Sequence, residues 1–199
     1  MNKFKALFFI SLAAVGFANL SFAQTVTSGQ LKVGSTAPSF TAKDYRGRNV
    51  DLKAMTQKGK VILVFYRGQW CPYCNRYLSS LQDSMQLIAG KGATVVAISP
   101  EMPDNAEKTA AKTKVSFPII SDAGNRLLKM YKTGYTLEDA TLKQYKAYGI
   151  DLSKANGNNE NMLPVPATYI IDQNMKISAV FYDADYRNRP SVRQLVNEL

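Results

Sequence analysis

The 199-residue sequence predicts an α/β fold, with a mixed central sheet flanked by helices, parallel early and antiparallel late. Three observations carry this reading. Residues 61–66 and 94–98 are uninterrupted apolar, β-rich runs, as expected of strands buried on both faces. Between them, residues 72–89 place Leu78, Leu81, Met85 and Ile88 at spacings of three and four, an amphipathic helix closed by Gly90 and Gly92. Towards the C-terminus, strands at 168–171 and 176–182 flank Asp172-Gln173-Asn174, a short hairpin connection.

The first 23 residues stand apart from this pattern. Lys3 and Lys5 precede an uncharged apolar run from Ala6 to Ala18, and Ser21-Phe22-Ala23 offers small residues where a signal peptidase reads. Residues 1–23 are therefore expected to be a signal peptide, cleaved before Gln24, of an exported or periplasmic protein. The run falls short of the roughly 20 residues that span a bilayer, so no stable membrane span is expected after cleavage. Residues 24–32 read as a flexible lead-in and 33–199 as one domain.

Within that domain, a short edge strand is expected at 39–42, and Arg46-Gly47-Arg48 turns the chain towards Val50-Asp51-Leu52. Asp104 and Glu107 have the spacing of a capping box, opening a helix that runs to about Lys114. Weaker helical segments at 125–131 and 137–148, with a polar loop at 156–161, form a helical insert ahead of the strand that follows Pro166. Pro190 is placed at the first position of the closing helix, whose face carries Val192, Leu195, Val196 and Leu199.

Charge and cysteine usage exclude several classes of function. Removing residues 1–23 takes away Lys3 and Lys5 and no acid, so a net charge of +10 becomes +8. The basic residues are scattered, which suits a solvated surface and not a nucleic-acid site. The chain has two cysteines and no histidine. That is too few cysteines for a disulfide scaffold and too few ligands for a zinc site, so neither a metal site nor a cofactor is expected. A histidine-assisted hydrolase or thiol protease is excluded, because no histidine exists to act as base.

The cysteines themselves point to redox chemistry. Cys71-Pro72-Tyr73-Cys74 lies where a core strand hands over to the long helix, and Pro72 suits the first helical turn. Cys71 then occupies the helix N-terminus, where unpaired N–H groups and the helix dipole favour a thiolate. Arg67 is placed to add positive potential. Cys74, one turn on, resolves a mixed disulfide formed at Cys71. A structural disulfide closing so short a loop would add little stability. Pro166, just before a core strand, marks either a strained cis turn that exposes the Val165 backbone to a substrate chain, or a trans proline that ends a loop.

Phe65-Tyr66-Arg67-Gly68-Gln69-Trp70-Cys71-Pro72-Tyr73-Cys74 resembles the active-site segment of peroxiredoxin-like proteins of the broad alkyl hydroperoxide reductase / thiol-specific antioxidant family. Residues 34–40, Phe117-Pro118-Ile119-Ile120-Ser121-Asp122 and Leu163-Pro164-Val165-Pro166-Ala167-Thr168 also resemble that family, and the likeness spans 33–187. The resemblance implies a thioredoxin-like fold, a reactive Cys71 and a cis Pro166 facing the active site. The chain departs from the peroxiredoxin Pro-x-x-x-Thr-x-x-Cys motif. Counting back from Cys71 the two places hold Val64 and Gly68, and from Cys74 they hold Arg67 and Cys71. Trp70 resembles thioredoxins, and the Pro-Tyr pair resembles glutaredoxins. The buried acid that thioredoxins keep on the central strand has no counterpart in 61–66.

The leading expectation is a thiol–disulfide oxidoreductase acting on protein thiols or disulfides, and recycled by a separate redox partner. Cys71 attacks, Cys74 resolves, and Arg67, Trp70, Tyr73, Val165 and Pro166 are the candidate partner-binding residues. The alternative is a thiol peroxidase working through either cysteine. A third class is a non-catalytic binding module with the pair as a redox-sensitive clip. Neither the direction of electron flow nor the role of the insert is set by these motifs.

Overall fold

The structure, a computed structural model, describes residues 29–199, so the expected signal peptide and most of the lead-in lie outside the described residues. The domain opens with a small hairpin, β1 (Thr41–Lys43) against β2 (Asn49–Asp51). α1 (Leu52–Thr56) begins directly after β2, because the Asp51 carboxylate accepts the Ala54 N–H at 3.0 Å and caps it.

The expected strand–helix–strand unit follows. β3 (Lys60–Phe65) leads to α2 (Pro72–Asp83), α3 (Met85–Gly90) and β4 (Ala93–Ser99). The single helix expected at 72–89 is broken at Ser84. Its N–H bonds back to the Leu81 carbonyl at 3.1 Å, a tightened last turn, before α3 restarts.

Next come α4 (Pro103–Thr113), β5 (Ile119–Ser121) and α5 (Arg126–Met130). The capping box expected from Asp104 does not form. Pro103 takes the first helical position and Met102 precedes it, which leaves Asp104 inside the first turn, where the dipole still favours it.

The insert is more than helix. β6 (Gly134–Thr136) pairs antiparallel with β7 (Met162–Pro164), and α6 (Asp139–Ala147) and α7 (Leu152–Asn156) lie between them. β8 (Ala167–Ile171), β9 (Ile177–Tyr182) and α8 (Val192–Asn197) complete the chain. Pro190 stands outside α8. Ser191 is the cap, its hydroxyl accepting the Gln194 N–H while the Gln194 side chain accepts the Ser191 N–H.

The main sheet runs β5-β4-β3-β8-β9, with β3, β4 and β5 parallel and β8 and β9 antiparallel to their neighbours. Alternation along β3 divides the core. Ile62, Val64 and Tyr66 pack with α2 and α4, whereas Val61, Leu63 and Phe65 pack with α1 and α5. A third core, of Tyr135, Leu137, Leu152, Leu163 and Val165, belongs to the insert and packs against Trp70. No helix among the described residues is long and apolar enough to cross a membrane.

The described residues hold no cis peptide bond, so Pro166, expected cis, is trans. β7 runs straight into β8, and the Val165 N–H donates to the Thr133 carbonyl at 2.7 Å. For an X–Pro bond the trans form is the intrinsically favoured one, by about 0.5–1 kcal/mol.

Candidate functional site

β3 ends at Phe65, and the chain needs six residues to reach α2. Cys71 caps that helix from an extended conformation (φ −90°, ψ 106°), and Pro72 fills the first position. The Cys71 N–H donates to the Gly68 carbonyl at 3.0 Å, and Cys71 Sγ accepts the Cys74 N–H at 3.3 Å. Cys71 and Cys74 form a disulfide, their Cα atoms 5.3 Å apart. Both are almost wholly buried, Cys71 at 1% and Cys74 at 0% exposure, whereas Tyr73 between them is exposed.

Two arginines flank the pair. Arg67, expected to line a partner surface, is buried instead in an aromatic cage. Its guanidinium lies 4.0 Å over the Tyr186 ring, 4.8 Å over Trp70 and 5.4 Å over Tyr145, and it donates to the Tyr145 hydroxyl. Cation–π attraction holds a desolvated guanidinium in place of a carboxylate here.

Arg189 reaches the other cysteine. Its Nη1 donates to the Phe65 carbonyl at 2.9 Å, and its Nη2 lies 3.6 Å from Cys74 Sγ. Burial lowers its pKa to about 10, with nearby Arg67 acting in the same sense and Tyr77 opposing, so it stays charged at neutral pH. A fixed cation beside Cys74 favours the thiolate when the disulfide opens.

Beneath the approach to Cys71 sits Glu101, fully buried. Its Oε2 accepts the Gln69 N–H at 2.8 Å, while Oε1 has no hydrogen-bond partner. Burial pushes this carboxyl up to about 8, against the pull of the Gln69 N–H, Lys108 and Ser99. Gly68 is required here. A Cβ on it would stand 2.7 Å from Glu101 Oε1 and 2.6 Å from Trp70 Nε1.

Of the expected partner-binding residues, Arg67, Trp70 and Tyr73 surround the pair. Trp70 and Tyr145 meet edge-on at 5.5 Å, as do Tyr73 and Tyr186 at 5.7 Å. Val165 is buried with its N–H already taken by Thr133, so that N–H is not free to pair with a partner chain. Pro166 lines a cavity beside Arg189.

The family model described as AhpC/TSA matches residues 33–180. The chain belongs to the AhpC/TSA family. This AhpC/TSA protein is 26% identical over 173 residues to the thiol-disulfide oxidoreductase ResA of Geobacillus thermodenitrificans, a match covering 85% of this chain and 79% of that one. It is 38% identical over 97 residues to the chloroplastic peroxiredoxin Q of Sedum lineare, covering 48% of this chain and 51% of that protein. The crystal structure of peroxidoxin BcpB from Mycobacterium tuberculosis superposes with a TM-score of 0.63 at 21% identity, over 77% of this chain and 86% of that one. That neighbour shares the fold, and the expected thioredoxin-like architecture is borne out.

The AhpC/TSA site also holds residues that the sequence reading passed over. Arg189 lies 115 residues from Cys74 in a polar Arg187-Asn188-Arg189-Pro190 run that reads as an ordinary helix approach. Glu101 follows β4 in what reads as a turn, and its one signal is a lone acid next to a core strand. Tyr145 lies on the weakly amphipathic α6.

Proposed function

We propose that the protein is a thiol–disulfide oxidoreductase whose Cys71–Cys74 pair exchanges disulfides with protein partners. The observation that carries this is the disulfide at the N-terminus of α2 with the Arg189 guanidinium beside Cys74 Sγ. The overall match to a ResA oxidoreductase along 85% of the chain supports it.

In the oxidising direction a partner thiolate attacks Cys71 Sγ. The S–S bond breaks, Cys74 leaves as a thiolate facing Arg189, and a mixed disulfide remains on Cys71. A second partner thiol attacks the partner sulfur and releases Cys71. Two electrons pass from the partner dithiol to the pair, and the partner's two protons pass to solvent or to the Cys71 and Cys74 thiols. The same steps reversed reduce a partner disulfide. Tyr73 and Trp70 border the reacting pair, where a partner would dock.

Insulin reduction and disulfide transfer are expected to vanish in Cys71→Ser. A Cys71→Ser protein with full activity would overturn the proposal. Cys74→Ser should accumulate mixed disulfides with partners, seen on non-reducing gels.

A thiol peroxidase is the second reading, favoured by the 38% match to peroxiredoxin Q and by the cation at Cys74. A Cys74 thiolate would attack the peroxide O–O bond, giving a sulfenic acid and an alkoxide or hydroxide. Cys71 would then condense with the sulfenic acid to a disulfide and water. Stopped-flow oxidation by hydrogen peroxide no faster than a free cysteine of equal pKa eliminates this reading.

Export belongs to the same proposal, with residues 1–23 as signal peptide, 24–32 as lead-in and 33–199 as the working domain. N-terminal sequencing of the mature protein should begin at Gln24. A mature chain still starting at Met1 removes export.

A further inference from the structure

Cation–π and ring contacts join the rim of the redox pair into one ladder. The Arg76 guanidinium on α2 lies 5.7 Å over the Tyr73 ring, Tyr73 meets Tyr186 edge-on at 5.7 Å, and Arg67 lies 4.0 Å over the other ring of that pair. Tyr73 is 38% exposed and Tyr186 36%, so both rings present surface beside the Cys71-Pro72-Tyr73-Cys74 motif. Paired tyrosine rings give a stiff, mostly apolar face that loses little freedom when covered.

The charge of this rim is one-sided. Arg67, Arg76 and Arg189 take part in no ion pair among the described residues. Arg67 is buried and Arg189 partly so, and their charges reach a partner as a field, whereas Arg76 is exposed and open to contact. Arg187 is different, since its Nε and Nη2 donate to the Asp185 carboxylate at 2.8 Å and 2.7 Å, which leaves that pair neutral as a unit. The other acid of the loop, Asp183, is held by the Asp185 N–H at 2.8 Å and by Asn188 at 3.0 Å, and it offsets one charge. Glu101 beneath is mainly protonated at neutral pH, because burial raises its carboxyl to about 8. Three unpaired arginines against Asp183 leave the rim net positive.

We propose that this rim docks a partner segment whose reactive cysteine lies between apolar residues flanked by acidic ones, with the apolar side chains on Tyr73 and Tyr186 and a carboxylate on Arg76. The inference names the partner of the disulfide exchange proposed above and rests on that reading. A guanidinium fork suits a carboxylate, which it can hold by two bonds at once. The field acts on the encounter, so its mark is a rate that falls as salt is added. A second copy of this chain is a poor occupant, because the chain carries a net charge of +10.

Three palindromic peptides, capped at both ends so that chain direction is immaterial, test the surface: Asp-Leu-Cys-Leu-Asp, Lys-Leu-Cys-Leu-Lys and Gln-Leu-Cys-Leu-Gln. Each reduces the oxidised full-length protein at concentrations where the rate is proportional to peptide. Each rate is divided by that peptide's rate with hydroxyethyl disulfide at the same pH, which removes differences in thiol pKa. At low ionic strength the acidic peptide is expected to lead the neutral one by about threefold and the basic one by about tenfold. Salt should shrink the lead. Arg76→Gln should remove most of it and Arg76→Lys should keep most of it. Lys91→Gln, which takes the same charge from an exposed position after α3, should leave it unchanged.

An acidic peptide no faster than the neutral one, a lead that salt does not reduce, or an equal lead in Arg76→Gln and the parent overturns the docking surface. Equal losses in Arg76→Gln and Lys91→Gln assign the lead to net charge alone and overturn it too. Asp-Leu-Ser-Leu-Asp, which cannot exchange, separates the two readings. It should shift the NMR signals of Tyr73 and Tyr186 in the parent and less in Arg76→Gln. A protein that reacts with none of the thiols defeats the exchange reading, while these shifts, present or absent, still decide the surface.

Discussion

The Tyr145 hydroxyl accepts a hydrogen bond from Nη2 of Arg67, tying the insert to the segment that leads into Cys71. Tyr145 lies on α6 and Arg67 follows β3, 78 residues earlier. Trp70 takes part in the same contact, so the insert core and the redox motif share a wall.

Loss of that wall is measurable because Trp70 is the single tryptophan of the chain. Tyr145→Phe leaves a buried guanidinium donor unpaired and is expected to cost about 2 kcal/mol in urea unfolding. Tyr145→Ala also removes the ring, and Trp70 emission should shift to the red as water reaches it. An unchanged Trp70 spectrum in Tyr145→Ala contradicts the shared wall.

Gly68→Ala tests the packing beneath the motif. The added methyl would meet Glu101 Oε1 at 2.7 Å and Trp70 Nε1 at 2.6 Å, both closer than a Cβ can stand, so the side chains beside Cys71 must shift. Overpacking of this kind costs about 1–3 kcal/mol. Guanidinium unfolding of Gly68→Ala with a midpoint equal to that of the parent refutes the tight fit.

Glu101 sets a pH dependence of definite sign. Burial raises its carboxyl from the ordinary 4.5 to about 8, so the folded chain holds this proton more tightly than the unfolded one. Its contribution is fully present below the unfolded value and is lost as pH rises through about 8. The loss is on the order of a few kcal/mol. Glu101→Gln, which can still accept the Gln69 N–H, should remove this alkaline decline. Parallel stability profiles for parent and variant between pH 5 and pH 9 are the result that rejects it.

The central strands were legible because burial on both faces leaves an unbroken apolar run, as in β3 and β4. The motif was legible because Pro72 and the capping position of Cys71 are local features. Elements of three to five residues, such as β5, β6, β7, α1 and α7, are too short to show a period. Local preferences were also ambiguous where two signals competed. Pro103 displaced the box at Asp104, and the reciprocal Ser191–Gln194 pair displaced Pro190. Arg189 and Glu101 were hidden for a different reason. Their roles come from where the chain brings them, opposite Cys74 and under Gly68, and neither carries a local pattern.

The burial of Cys71 bears on how fast the pair can answer a partner. An incoming thiolate must travel along the S–S axis, and a Cys71 only 1% exposed leaves little room for that approach in the resting fold. Exchange is therefore expected to wait for a local opening of the residues around Cys71. With scarce reductant the observed rate rises in proportion to its concentration. With abundant reductant it levels off at the opening rate, which is the same for every thiol. A rate that keeps rising in proportion to reductant, with no plateau, would show that Cys71 is reachable without such an opening.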